Sequence, residues 1–377
     1  MRVVHITSAH SRGDVRIFLK ECASLARYGH EVTLLVADGL GDQPCQGTDM
    51  VSIVDAGRFD GRVRRMLKAP KRLLKLAKSI HADVYHLHDP ELLIIALALR
   101  KGGCKVIFDA HEDVPKQILT KHYLPPWTRH AISRVVSVYE RYVCSRLSGV
   151  VGATPTIRDK FMVCAQRAVD VNNFPLLGEL DSVGDSLRTG MDICYVGGMA
   201  AIRGIQEIVR AMGYVTQRDV CLNLVGSFIE PEVEARLRAS PEWSSVKAWG
   251  QQNRTGVRQV LARSSIGLVT LHPTVNYVDA LPIKMFEYMA AGIPVIASDF
   301  PLWRSIIESA GCGVCVDPLD PRAIARAIDD LLADPDRAVK MGMNGRQAVL
   351  ERFNWGIEEK KLLDFYQGLS KTERASS

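Results

Sequence analysis

Two carboxylates, Asp279 and Glu287, stand eight positions apart, with a Leu-Pro-Ile segment and Lys284 between them. Met285, Met289 and Ala290 recur at helical spacing, Gly292 is placed to cap a helix, and 294–297 has the pattern of a short buried strand. The spacing predicts a loop that holds Asp279 and a helix whose early turns carry Glu287. A helix start offers unpaired N–H groups and partial positive charge, which suit a diphosphate. Carboxylates beside such a place cannot favour the phosphates. They are better suited to accepting hydrogen bonds from hydroxyls of a ribose or a sugar. The plainer alternative is an ordinary loop–helix–strand connection with incidental acids.

Two further clusters carry chemistry. His86, His88, Asp89 and Glu91 end one predicted strand, and Asp109, His111, Glu112 and Asp113 end the next. Open α/β sheets place ligands at the carboxyl ends of their strands, and alternation puts His86 and His88 on one side. These are metal-ligating residue types, but sequence spacing does not show three or four ligands converging. The third cluster follows a strand at 192–196 and comprises Gly197, Gly198 and Arg203, with Gly226 ending a later strand. A guanidinium such as Arg203 can pair bidentately with phosphate oxygens, or it can be a surface residue at a helix start.

The elements that must position these residues alternate between strand and helix. A strand at 3–7, a helix from about Asp14 to Tyr28 and a strand at 31–36 open the chain with a βαβ pattern. There is no Gly-x-Gly-x-x-Gly in this unit, so a dinucleotide-binding domain is disfavoured and Asp38 reads as loop. A helix over 126–147 and a strand at 149–154 follow. A poorly patterned stretch from Asn172 to Thr189 reads as an interdomain linker. Beyond it come strands near 222–226, 246–250 and 266–271, then 312–317. Helices near 321–333 and 338–351 are followed by a last helix, and 371–377 reads as a disordered tail.

A chain of 377 residues exceeds what one core supports, so two domains are the default. Nine cysteines lie scattered and the chain opens directly on a strand, so a reducing cytoplasmic setting is expected. Cys312 and Cys315 have metal or redox spacing, but with no second pair they read as structural. Net charge is only +6, yet Arg62, Arg64, Arg65, Lys68, Lys71, Arg72, Lys75 and Lys78 lie together with no acid among them. Met66, Leu67, Leu73, Leu74, Leu76 and Ile80 supply an apolar side. Such a basic amphipathic helix favours an anionic membrane surface, and a solvated helix face is the bland alternative. No aromatic residue interleaves with these charges, which disfavours nucleic acid.

The run from Asp279 to Ile296 resembles the donor-site motif of family 4 retaining glycosyltransferases of the GT-B fold, where two glutamates are separated by seven residues. Asp279 takes the first position, shortened by about one methylene, and Glu287 the second. The loop before Gly204 is similar to the family's phosphate-side loop. Gly198 stands where an arginine is usual and Arg203 where a lysine is usual, with Lys284 the candidate for the missing cation. The resemblance spans nearly the whole chain and is strongest over 195–317.

It implies two doubly wound parallel-sheet domains facing across a cleft. An acceptor-side domain at 1–175 and a nucleotide-sugar domain at 176–354 are expected, with a helix at 355–370 crossing back to the first. It implies a UDP- or GDP-sugar donor, no required cofactor or metal, and a lipid-linked or glycan acceptor in bacterial cell-surface polysaccharide biosynthesis such as lipopolysaccharide. Transfer of a hexosyl or N-acetylhexosaminyl group with retention is expected, on a cytoplasmic protein peripheral to the inner membrane face. Glu287 would hold the ribose and Asp279 a sugar hydroxyl. Arg203, Lys284, Gly197, Gly198, Gly226 and the loop Ala280, Leu281, Pro282 and Ile283 would hold the phosphates. His86, His88 and His111 are all candidates for the position near the transferred sugar. A sugar-nucleotide epimerase of the same architecture, or a catalytically silent binding protein, are the other readings.

Overall fold

The computed structural model describes residues 1–45, 50–121, 124–180 and 190–374, the last five as backbone only. It divides into two compact units, Met1–Asn173 with Gly356–Ser377, and Phe174–Trp355.

The first unit is built on seven parallel strands: β1 (Arg2–Ile6), β2 (Glu31–Val36), β3 (Val51–Asp55), β4 (Val84–Leu87), β5 (Lys105–Ala110), β6 (Gly149–Gly152) and β7 (Ala168–Asp170). Their order is β3-β2-β1-β4-β5-β6-β7. The sequence order of the strands across the sheet reverses between β1 and β4, which pair parallel from Val3 with Val84 to Ile6 with Leu87. The carboxyl ends of those two strands are therefore the topological switch point. β1 and β4 are buried almost throughout because a parallel sheet is covered on both faces. β3 and the three-residue β7 are additions to the sequence reading, too short or too mixed to give a period.

The first helix differs from its expected form. Val15–Cys22 is wound as a π-helix and continues as Ala23–Arg27. Asp14 caps it, accepting from the N–H groups of Arg16 and Ile17 at 2.9 Å. Ile17, Cys22, Leu25 and Ala26 are buried as the apolar spacing predicts, but so are Arg16, Lys20 and Glu21. The Arg62–Ile80 helix carries Pro70 inside it and buries Ala69, Leu73 and Ala77, while Met66 and Leu67 stay exposed.

The last helix, Trp355–Arg374, belongs to this first unit from Gly356 onward. Glu358 accepts from the Asn172 N–H at 2.8 Å, Lys361 donates to Asp170 at 2.9 Å, and the buried Tyr366 reaches His86. The helix runs through Arg374, so the expected disordered tail from Lys371 is corrected as far as 374; 375–377 lie outside the described residues.

The second unit has six parallel strands: β8 (Asp192–Val196), β9 (Cys221–Val225), β10 (Val246–Gly250), β11 (Ile266–Val269), β12 (Val295–Ser298) and β13 (Gly313–Val316). Their order, β10-β9-β8-β11-β12-β13, puts a second switch point between β8 and β11. One face packs on Met285, Phe286, Tyr288, Met289 and Trp303, the other on Ile205, Ile208, Val209, Ile324 and Ile328. Phe174 and Leu180 lie in the first of these cores, so the described part of the expected linker is folded into the unit; 181–189 lie outside the described residues. Burial raises the Cys312 thiol to about 11 and that of Cys315 to about 12, which suits structural cysteines.

At the end of β9 the backbone of Gly226 takes φ +132°, and a Cβ there would lie 2.2 Å from the Gly197 carbonyl oxygen. Gly226→Ala must displace the turn after β8, at a cost of about 2 kcal/mol. Thermal unfolding is expected to fall by roughly 5 °C. Gly13→Ala, with nothing within 4 Å of the added carbon, is expected to leave it unchanged.

Candidate functional site

In the second unit the switch point carries the predicted phosphate side. β8 ends at Val196, whose N–H is fixed by the Tyr288 hydroxyl at 2.8 Å. The chain then turns through Gly197, at φ +127°, and Gly198. The Gly198 carbonyl accepts from the Tyr195 hydroxyl at 2.9 Å and from Arg203 Nη1 at 3.2 Å. Lys284 enters from the other side, in the first turn of the Ile283–Ala290 helix. Its Nζ lies 3.5 Å from the centre of the Tyr195 ring and about where a side chain on Gly197 would be. That nitrogen is buried and has no hydrogen-bond partner among the described residues. Burial, and then the positive charge of Arg203, push the Lys284 ammonium well below the usual lysine value; Glu287 opposes them.

The Ile283–Ala290 helix begins at Pro282 with no side-chain cap. Gly292, at φ +67°, closes its far end: the Gly292 N–H bonds Met289 and the Ile293 N–H bonds Tyr288, both at 2.9 Å. Ala280, Leu281 and Pro282 form the loop into this helix, anchored where Trp303 Nε1 donates to the Ala280 carbonyl at 2.7 Å. Asp279 opens that loop and is half-buried. Glu287 is buried one turn into the helix, and its Oε1 accepts from Arg254 Nη1 at 2.6 Å. Arg254 Nε reaches Glu179 at 2.5 Å. Against burial, the two carboxylates raise the guanidinium above its usual value. Arg254 and Glu179 escaped the sequence reading, since nothing in a residue after an Asn cap signals a partner 33 positions away. His272 pairs with Glu207 at 3.0 Å, a structural tie between the β11 end and the Ile205–Ala211 helix.

In the first unit His86, His88 and His111 are brought together at the ends of β4 and β5, with His5 of β1 added. His88 Nδ1 lies 3.1 Å from Asp109, and His111 Nε2 lies 2.8 Å from the same oxygen. Arg16 donates to Asp109 through Nε at 2.9 Å and Nη2 at 2.7 Å. Despite burial, Arg16 and then His111 hold the Asp109 carboxyl well below the usual range. Burial holds His5, His86 and His88 below the usual histidine value. His86 and His88 are inaccessible, and His86 Nδ1 is taken by the Tyr366 hydroxyl at 2.9 Å. Of the three candidates for the position near the transferred sugar, these two are closed into the sheet. The His111 side chain keeps 18% of its surface exposed.

Asp89 organises the loop after β1. It accepts from the Ser8 N–H at 2.6 Å and the Thr7 hydroxyl at 2.8 Å, and pairs with His10 at 3.0 Å. Burial opposes its ionisation, but these donors, His10 first, hold it below the usual carboxylate range. Arg12 clamps Asp38 through two bonds of 2.8 Å, which gives that acid a structural partner.

The chain matches a model described as glycosyl transferases group 1 over residues 190–334, and one described as a glycosyl transferase 4-like domain over 13–169. It is 34% identical over 308 residues to the GDP-mannose-dependent alpha-(1-6)-phosphatidylinositol monomannoside mannosyltransferase of Mycolicibacterium smegmatis, covering 76% of each chain. The likeness to the Mycobacterium tuberculosis proteins of the same name is 37% over 91 residues, only 24% of their length. Sucrose-phosphate synthase from Thermosynechococcus elongatus superposes with a TM-score of 0.77 at 19% identity, over 98% of this chain and 99% of that one. HepE from Anabaena, in complex with UDP-glucose, gives 0.74 at 14% identity, over 98% and 100%. These structures establish the GT-B fold.

An anion bound between Arg203 and Lys284 restores the ammonium toward its ordinary value. Binding of pyrophosphate above the lowered Lys284 value is therefore expected to take up a proton, and affinity to fall as pH rises through that window. Calorimetry in buffers of different ionisation enthalpy measures the uptake, and Lys284→Met is expected to abolish it.

Proposed function

Since the chain belongs to the group 1, family 4-like glycosyltransferases of the GT-B fold, we propose that it moves a hexosyl group from a nucleotide-diphosphate sugar to a lipid-linked acceptor with retention at the anomeric carbon. The observation that carries this is the paired charge of Lys284 and Arg203 at the β8 switch point, with the Lys284 nitrogen unpartnered among the described residues. Two cations, a glycine turn and an uncapped helix start together suit a diphosphate.

As the glycosidic bond breaks, negative charge grows on the β-phosphate, and Lys284 and Arg203 stabilise it there. Glu287 accepts from the ribose hydroxyls through the oxygen that Arg254 does not hold, and Asp279 accepts from a hydroxyl of the sugar. The leaving phosphate takes the acceptor proton, so no separate base is assigned. His111 is the histidine assigned to the sugar on the acceptor side. GDP-mannose is the first donor to test, because the 34% identical relative is a GDP-mannose-dependent mannosyltransferase.

A lipid-linked acceptor is supported by two helices of the first unit. Of the basic residues on Arg62–Ile80, Arg65 pairs with Glu91 and Arg72 donates to the Ala56 carbonyl. Arg62, Arg64, Lys68, Lys71, Lys75 and Lys78 remain exposed. The Pro126–Cys144 helix turns an apolar face outward, with Trp127 76%, Val135 68%, Val138 63% and Tyr142 52% exposed. Exposed Arg134 and Arg141 flank that face, and the helix's one acid, Glu140, is buried against Lys160. Aromatic and apolar residues rimmed by arginine match the interface of an anionic bilayer. Among the described residues no helix is long and apolar enough to cross a membrane.

Incubation with GDP-mannose, UDP-glucose and UDP-N-acetylglucosamine tests the donor half. Slow hydrolysis with release of the nucleoside diphosphate is expected. An epimeric product would identify an epimerase, and binding without turnover a silent protein. Glu287→Gln is expected to weaken donor binding roughly tenfold, the worth of a charged acceptor bond. Asp279→Glu is expected to retain more activity than Asp279→Ala, and equal activity of both with the wild type would make that acid incidental.

Vesicle sedimentation tests the acceptor half. Binding to anionic vesicles is expected to fall with salt, each exposed cation contributing about 1 kcal/mol. Replacing Trp127, Val135 and Val138 with serine is expected to weaken it at every salt concentration. A wild type that ignores anionic vesicles at low salt would direct the search to a soluble acceptor.

A further inference from the structure

Four side chains that the proposed transfer does not use meet inside the first unit. His5 comes from β1, His86 and His88 from β4, and Glu21 from the π-helical segment Val15–Cys22. Each offers one ligand atom, and the four atoms lie within 4.8 Å of one another. All four residues are at most 1% exposed. His5 Nε2, His86 Nε2 and Glu21 Oε2 have no hydrogen-bond partner among the described residues, while Glu21 Oε1 is ion-paired with Arg16 at 3.1 Å. A buried polar atom left unpaired is costly, and here several converge on one point.

We propose that His5, Glu21, His86 and His88 bind a divalent transition-metal ion of the zinc class, as a closed structural site. Three imidazoles and one carboxylate form a four-coordinate donor set suited to such an ion. The surrounding bonds are those that orient metal-bound histidines. His86 Nδ1 is held by the Tyr366 hydroxyl at 2.9 Å, and His88 Nδ1 faces Asp109 at 3.1 Å, which directs the Nε2 atom of each ring inward. Asp109 is itself fixed by Arg16, which also lies 3.1 Å from Glu21 Oε1. His5 Nδ1 and His88 Nε2 stand 2.8 Å apart, whereas two ligands of a tetrahedral ion stand about 3.3 Å apart. Loading therefore breaks the hydrogen bond between those two rings and separates them, and Nε2 is the His5 nitrogen without a partner among the described residues. The ion joins β1, β4 and the π-helical turn, and through Tyr366 the last helix. It takes no part in bond making, since no open coordination position faces solvent.

A second arrangement competes for the same ion: His88, Asp109 and His111 also group their ligand atoms. The test separates the two. Full-length protein, stripped with chelator, is titrated with Zn²⁺, and with Co²⁺ as a spectroscopic probe. One equivalent of zinc, an intense visible tetrahedral Co²⁺ spectrum, and a rise in Tm of several degrees are expected. Glu21→Gln and His86→Gln are each expected to lower zinc affinity at least 100-fold with an unchanged circular dichroism spectrum, and Tyr366→Phe about tenfold. His111→Gln is expected to retain binding. Wild-type protein that binds no stoichiometric zinc, and shows only octahedral cobalt, overturns the proposal independently of how the variants fold. So does binding that survives Glu21→Gln and His86→Gln, or that is lost with His111→Gln.

Discussion

The arrangement on which the second unit turns is an ammonium enclosed beside a guanidinium. Lys284 is not neutralised by the acids nearest it in sequence: Glu287, one turn on, is bonded to Arg254 instead. Like charges brought together away from water repel, and the fold tolerates this only because the local backbone is determined from several directions. Tyr195 offers Lys284 a ring face, Tyr288 fixes the end of β8, and Gly226 and Gly197 pack without side chains between them. The result is a set of nitrogen donors fixed in place before any ligand arrives. Donors already in place are what a departing diphosphate needs, since little reorganisation is then required as the bond breaks.

The first unit solves a different problem. Asp109, buried at the end of β5, is the anion around which Arg16, His88 and His111 are arranged, and Asp89 plays the same part for the loop after β1. These networks fix the carboxyl ends of β1, β4 and β5 and leave the His111 side chain partly open. The two switch points thus carry opposite kinds of chemistry. One is poor in acids and presents cations, and the other is rich in histidine and acids.

Much of this was legible in the chain. The parallel-sheet grammar follows from apolar runs separated by helical periods, and the Asp279–Glu287 stretch announces its loop, helix and glycine cap directly. The Gly197–Arg203 loop and Lys284 are both visible, and the structure shows them converging. Other features were hidden for physical reasons. The π-winding of Val15–Cys22 buries Arg16, Lys20 and Glu21, because a 3.6-residue period assigns polar residues outward. The His5–Glu21 juxtaposition and the Arg254 bridge between Glu179 and Glu287 are tertiary, with no local signal. Strand alternation placed His86 and His88 together but not their depth, since a parallel sheet covers both faces.

The central claim is that Lys284, with its unpartnered nitrogen, and the neighbouring guanidinium of Arg203 are the seat of the donor diphosphate. A crystal structure of the chain with a nucleoside diphosphate sugar addresses it most directly. The account predicts β-phosphate oxygens within hydrogen-bond distance of Lys284 Nζ and the Arg203 guanidinium, with the ribose hydroxyls on Glu287. A diphosphate bound elsewhere, with Lys284 Nζ still against the Tyr195 ring and without a partner, would contradict it.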